Sequence, residues 1–98
     1  MKRWEDLKEN RKKELYEAVL LLESADECQA FFADLCTPAE LEALSDRFRV
    51  AKLLVKKTPY RKISEDTGVS VTTVTRVARF LFSGNSGYKV ILKRLGVM

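Results

Sequence analysis

The tetrapeptide Thr67-Gly68-Val69-Ser70 separates two short amphipathic segments and forces the chain to turn between them. Gly68 suits a left-handed residue just past a helix end. Ser70 suits the N-cap of a following helix, where its hydroxyl accepts from a free backbone N–H. The run from Val71 to Phe82 is rich in Val and Thr, which by propensity favours a strand. Its spacing decides for a helix. Val71, Val74, Ala78 and Leu81 fall on one helical face with Val77 at its edge, and Thr72, Thr73, Arg76 and Arg79 fall on the other. A period of two would put Val74 and Val77 on opposite faces. Two short helices joined by about three residues of turn make a helix-turn-helix.

The rest of the chain also reads as helix. A first helix is expected from about Lys2 to Leu22, with Trp4, Leu7, Leu15, Ala18, Val19 and Leu22 on a stripe that Arg11 interrupts. Ser24 to Glu27 forms a capping box that opens a short helix carrying Cys28, Phe31, Phe32 and Leu35. Thr37-Pro38-Ala39-Glu40 is a second box, with Pro38 at the first helical position, where its missing N–H costs nothing. The helix it starts runs to about Lys57 and should bury Leu41, Leu44, Phe48, Ala51 and Val55. Thr58-Pro59 repeats the signal for a helix that carries Tyr60 and Ile63 and reaches Thr67. Residues 83–87 end the fifth helix, and a sixth, about Gly87 to Leu95, should bury Tyr88, Ile91, Leu92 and Leu95. The expected fold is all-α: six helices in a single domain over residues 1–98. Within it, 1–36 would be dimerisation helices, 58–82 the helix-turn-helix and 87–96 the C-terminal helix.

Composition removes several kinds of chemistry. The 98 residues include no His and only two Cys, so Ser-His and Cys-His catalysis and a zinc site lack their groups. Gly84 to Gly87 is too short for a phosphate loop and has no P-loop lysine. An enzyme is therefore not expected, nor any metal. Cys28 and Cys36 read as small buried apolar residues, with a redox or disulfide pair as the alternative. No apolar run approaches the roughly 20 residues that cross a bilayer. The N-terminus lacks a signal-peptide core, so a cytoplasmic protein with no membrane partner is expected.

Charge is segregated along the chain. Residues 1–46 hold 6 Lys/Arg against 12 Asp/Glu, and residues 47–98 hold 12 Lys/Arg against only Glu65 and Asp66. A basic half points to a polyanion; a solvated surface with chance segregation is the competing reading. The recognition helix of a helix-turn-helix enters the major groove of double-stranded DNA by its N-terminal end. Thr offers a hydroxyl to base edges and a methyl to the thymine methyl. Val71, Thr72, Thr73, Thr75 and Arg76 are the base-reading candidates, against surface threonines without a role. Lys56, Lys57, Arg61, Lys62 and Ser70 are the phosphate candidates, against a solvated basic face.

The segment from Leu35 to Leu81, about half the chain, resembles the Trp repressor family. The shorter YerC/YecD-like branch is closer still: "LCT", "TG.S..T..RV.R.L..G..GY" and a closing "L.RL" are present nearly whole. The resemblance implies an intertwined all-helical homodimer whose two helix-turn-helix units meet successive major grooves, roughly 34 Å apart. In Trp repressor, L-tryptophan lies between two arginines and beside a threonine, positions that match Arg47, Arg76 and Thr37. Two positions depart: a glycine is Val77 here and a serine is Phe80. Thr37, Arg47, Arg76, Val77 and Phe80 thus form a candidate pocket that is altered or closed toward L-tryptophan, with another small co-repressor or none as the options. The expected function is a homodimeric, sequence-specific DNA-binding transcriptional regulator of the repressor kind. The alternative is a helical module that keeps the fold and binds a protein of the transcription machinery.

Overall fold

The computed structural model describes residues 3–98. Lys2, where the sequence starts its first helix, lies outside the described residues. Six helices and no strand occur among them: α1 Trp4–Val19, α2 Ala25–Leu35, α3 Pro38–Val55, α4 Tyr60–Thr67, α5 Val71–Ser83 and α6 Gly87–Arg94. The chain forms two compact units, residues 1–37 and 38–98.

The N-terminal unit is a helical pair with no buried residue among the described residues. Arg11 does not break the stripe of α1. Its guanidinium lies 4.8 Å from the centre of the Trp4 ring, and Lys8 stands 5.1 Å from the same ring, so the indole packs beneath cations. The helix ends at Val19, three residues earlier than its pattern suggests. Leu21 and Leu22 donate to carbonyls only three residues back, which tightens the last turn. The next backbone N–H, of Glu23, donates to the Glu27 carboxylate at 2.9 Å. The Ser24 hydroxyl accepts from the Glu27 N–H at 3.1 Å. This capping box claims the backbone that the first helix would have needed. Leu20 and Leu21 are left 83% and 79% exposed. Cys28 and Cys36 are free thiols, half-buried rather than buried.

The C-terminal unit holds the core. Val50, Ala51 and Leu54 of α3, Ile63 of α4, Val74, Val77, Ala78 and Leu81 of α5, and Leu92 of α6 form one buried cluster. Four of those nine come from α5, so α5 is the helix around which the unit packs. Val77 is inside this cluster, not at its edge, at 2% exposure. Val71, six residues ahead at the start of the helix, is 48% exposed. On α3 the buried face is turned from the expected one: Phe48 and Val55 only flank the core, and Leu44 is exposed. The buried residues of α3, Val50, Ala51 and Leu54, all lie in its C-terminal half, and this helix contacts both α4 and α5. The eight-residue α6 meets the core through Leu92, with Tyr88 beside it and Ile91 and Leu95 exposed.

The exit from α3 carries local strain. The Thr58 N–H donates to the Leu53 carbonyl (3.2 Å) and the Lys57 N–H to the Leu54 carbonyl (2.9 Å), the paired bonds of a Schellman end. The residue at the left-handed position is Lys57, with φ 62°. The same motif closes α6, where Gly96 takes that position with φ 77°. Helix α3 thus stops at Val55, two residues short of the expected Lys57, and Pro59 is the N-cap of α4 and not its first residue.

Two stability effects follow from this packing. Lys57→Gly should raise the urea midpoint by the equivalent of roughly 0.5 kcal/mol, the relief of side-chain crowding less the added chain entropy of glycine. Ile63→Ala, which empties a fully buried site between α4 and the core, should cost about 2–4 kcal/mol by the same measurement.

Candidate nucleic-acid interface

The turn between α4 and α5 is fixed by side-chain oxygens. The Thr67 hydroxyl donates to the Ile63 carbonyl at 2.6 Å and accepts from the Val69 N–H at 3.2 Å. Gly68, at φ 76°, returns its N–H to the Ser64 carbonyl at 2.9 Å. Ser70 then caps α5, its Oγ accepting from the Thr73 N–H at 3.1 Å. The backbone N–H groups of Gly68, Val69 and Thr73 are thereby each given a local partner.

This network sorts the candidate hydroxyls. The Ser70 hydroxyl is engaged with Thr73, Oγ to Oγ1 at 3.0 Å, as well as with the backbone. Thr73 is half-buried beside it. The Thr75 hydroxyl donates back to the Val71 carbonyl at 3.0 Å. The Thr72 side chain is exposed and makes no hydrogen bond among the described residues. The outward flank of α5 therefore presents Val71, Thr72, Thr75 and Arg79, and this helix carries no acidic residue.

The phosphate candidates divide as well. Arg61 and Lys62 stand exposed in the first turn of α4. Lys62 lies 3.5 Å from Asp66 on its own helix, an exposed pair worth at most a few tenths of a kcal/mol. Lys57 is exposed in the turn before α4. Lys56 lines a groove of about 450 Å³ along α3 with Arg49 and Lys52. Those two cations escaped the sequence reading, although their spacing to Lys56 is helical.

The reverse flank of α5 faces a cleft of about 570 Å³ within the C-terminal unit. Arg47 and Phe48 of α3, Arg76, Val77 and Phe80 of α5, and Asn85, Gly87, Tyr88 and Ile91 line it. The sequence reading joined Arg47, Arg76, Val77 and Phe80, and the cleft has all four. It did not foresee Asn85, Tyr88 or Ile91, which the turn after α5 and the face of α6 contribute. Thr37 is not part of that lining; it ends the N-terminal unit. Arg76 belongs to the cleft flank, its guanidinium 5.8 Å from the Phe80 ring centre. Phe80 is 44% exposed and forms a wall, so the cleft stays open beside it.

With this geometry in view, the chain can be set beside known proteins. The family model of the Trp repressor protein matches residues 10–96. The chain belongs to the Trp repressor family. Within that family it is of the YerC type: it is 40% identical to YerC of Bacillus subtilis strain 168 over 82 residues, 84% of this chain and 79% of that protein. A TrpR-like protein from Eubacterium eligens ATCC 27750 superposes with a TM-score of 0.87 at 43% identity, covering 94% of this chain and 95% of the other. A candidate Trp repressor from Staphylococcus aureus gives a TM-score of 0.87 at 39% identity, over 100% and 98%. The Trp repressor family is one of regulators and not of enzymes, and the fold is that of helical DNA-binding regulators. No helix among the described residues is long and apolar enough to cross a membrane.

The cap on the recognition helix can be measured directly. Ser70→Ala should lower stability by about 1 kcal/mol and reduce amide-exchange protection in the first turn of α5.

Proposed function

We propose that this Trp repressor family member is a homodimeric, sequence-specific double-stranded DNA-binding transcriptional regulator that represses through its helix-turn-helix. The observation that carries the reading is the exposed flank of α5. It shows Val71, Thr72, Thr75 and Arg79 to solvent, with the cations Arg61 and Lys62 on the preceding helix and no carboxylate on α5. In such an arrangement α5 enters the major groove and α4 lies along the phosphates. Thr72 supplies the base-reading hydroxyl. Thr73 acts with Ser70 as part of the cap. Arg61, Lys57 and Lys62 neutralise phosphates.

The dimer is supported by the N-terminal unit. Trp4, Leu7, Leu15, Tyr16, Leu20, Leu21 and Leu35 are all exposed, an apolar load that a second copy would cover. Residues 1–36 are the dimerisation segment in this reading.

The cleft is altered with respect to L-tryptophan. Phe80 and Val77 take up room beside the two arginines, and Phe80 already stacks with Arg76. Operator binding accordingly needs no L-tryptophan.

Fluorescence anisotropy with a labelled mixed-sequence duplex tests the reading. Affinity should fall steeply between low and moderate salt, as counterion release requires. Arg61→Ala should weaken all duplexes alike and reduce the salt slope by about one. Thr72→Ala should weaken only the preferred duplex, by about 1–3 kcal/mol. Failure of a folded, dimeric sample to bind at low salt would instead favour a protein-binding module, with the exposed Phe80 and Phe82 as its contact. Calorimetry should detect no micromolar binding of L-tryptophan; one molecule bound per subunit would refute the altered cleft.

A further inference from the structure

Val71 and Thr75 stand one helical turn apart on the outward flank of α5, and neither side chain has a free hydrogen-bond donor to offer. Val71 is apolar and 48% exposed at the first position of the helix. Thr75 has spent its only hydroxyl proton on the Val71 carbonyl. What it turns to solvent is a methyl group and acceptor lone pairs. An exposed valine next to a threonine with a committed proton is a poor match for the acceptor-rich major-groove edge of guanine. It is a good match for an apolar group.

The major groove offers one apolar group, the thymine C5 methyl. We infer that Val71 and Thr75 form a methyl-reading pair that selects thymine at their positions in the half-site, while Thr72 supplies the adjoining hydrogen bond. This inference rests on the DNA-binding reading and names the base chemistry of that same site. Four residues of helix advance about 6 Å, and base pairs rise about 3.4 Å. The two thymines therefore lie within two base steps of each other.

Deoxyuridine is the probe, because it keeps the pairing and the O4 acceptor of thymine and lacks the methyl. The full chain first selects its preferred duplex from a random pool. That duplex is then made with deoxyuridine in place of thymine and titrated by anisotropy beside a random duplex altered in the same way. The preferred duplex should lose about fourfold in affinity for each methyl in contact, the value of one buried methyl group, and the random duplex should be unaffected. Val71→Ala and Thr75→Ser should each reduce the preference for thymine over deoxyuridine. Thr75→Val, which keeps the methyl, should retain it. Both side chains are exposed, so these variants leave the core intact, and the decisive comparison uses the unaltered protein. Equal binding of the thymine and deoxyuridine forms of the preferred duplex overturns the inference while DNA binding stands. An equal loss on preferred and random duplexes would trace to duplex shape and also overturns it. Absence of salt-sensitive binding to any duplex overturns the DNA-binding reading and this one together.

Discussion

The Thr67 hydroxyl ties the end of α4 to the turn that leads into α5. It bonds backward to the Ile63 carbonyl and receives the Val69 N–H, so one side chain spans the end of α4 and the start of the turn. Gly68 can then adopt its left-handed conformation, and Ser70 can close the first turn of α5. Below these polar contacts, Ile63 seats α4 in the core that α5 dominates. Hydrogen bonds set the turn into α5, and apolar burial holds the helix in place. The two contributions are of different kinds, and a helix that must present a fixed flank needs both.

That division of labour explains which parts of the structure were legible in the sequence. The turn at 67–70 was readable because Gly and Ser have few other reasons to stand two apart between amphipathic runs. Helix starts at Ser24 and Pro38 were readable for the same reason: capping chemistry is local. The end of α1 was less so, because nothing in Leu20-Leu21-Leu22 says stop, and the capping box that follows does the stopping. The face of α3 was misjudged for a tertiary reason. A periodic pattern gives a stripe, but which residues of the stripe are covered depends on where α4 and α5 land. Within the candidate site, the residues on α5 came from pattern and resemblance. The state of each hydroxyl did not. That Thr72 is uncommitted and Thr75 is tied to the backbone follows only from rotamers, which no spacing rule supplies. The contribution of Asn85, Tyr88 and Ile91 to the cleft likewise depends on how α6 folds back, a long-range fact.

Electrostatics and apolar exposure are distributed in opposite ways between the two units. The C-terminal unit holds 12 of the 18 Lys and Arg residues and all of the buried side chains. Among the described residues the N-terminal unit buries no side chain, yet it carries a large share of the exposed leucines. The proposed function gives these two surfaces separate uses, the apolar one for a second copy of the chain and the cationic one for a polyanion.

Helix α5 is asked to do three things within three turns, and its residues divide by face. Val77 belongs at once to the core and to the cleft wall, whereas Arg76 and Phe80 touch the cleft without entering the core. For a lineage acquiring or abandoning a small effector, these positions are not equivalent. Change at Val77 disturbs the core, and change on the outward flank would, in the proposed function, alter the choice of operator. Arg76 and Phe80 line the cleft from outside the core, so the chemistry of the cleft can change through two side chains while the packing of the fold stays as it is.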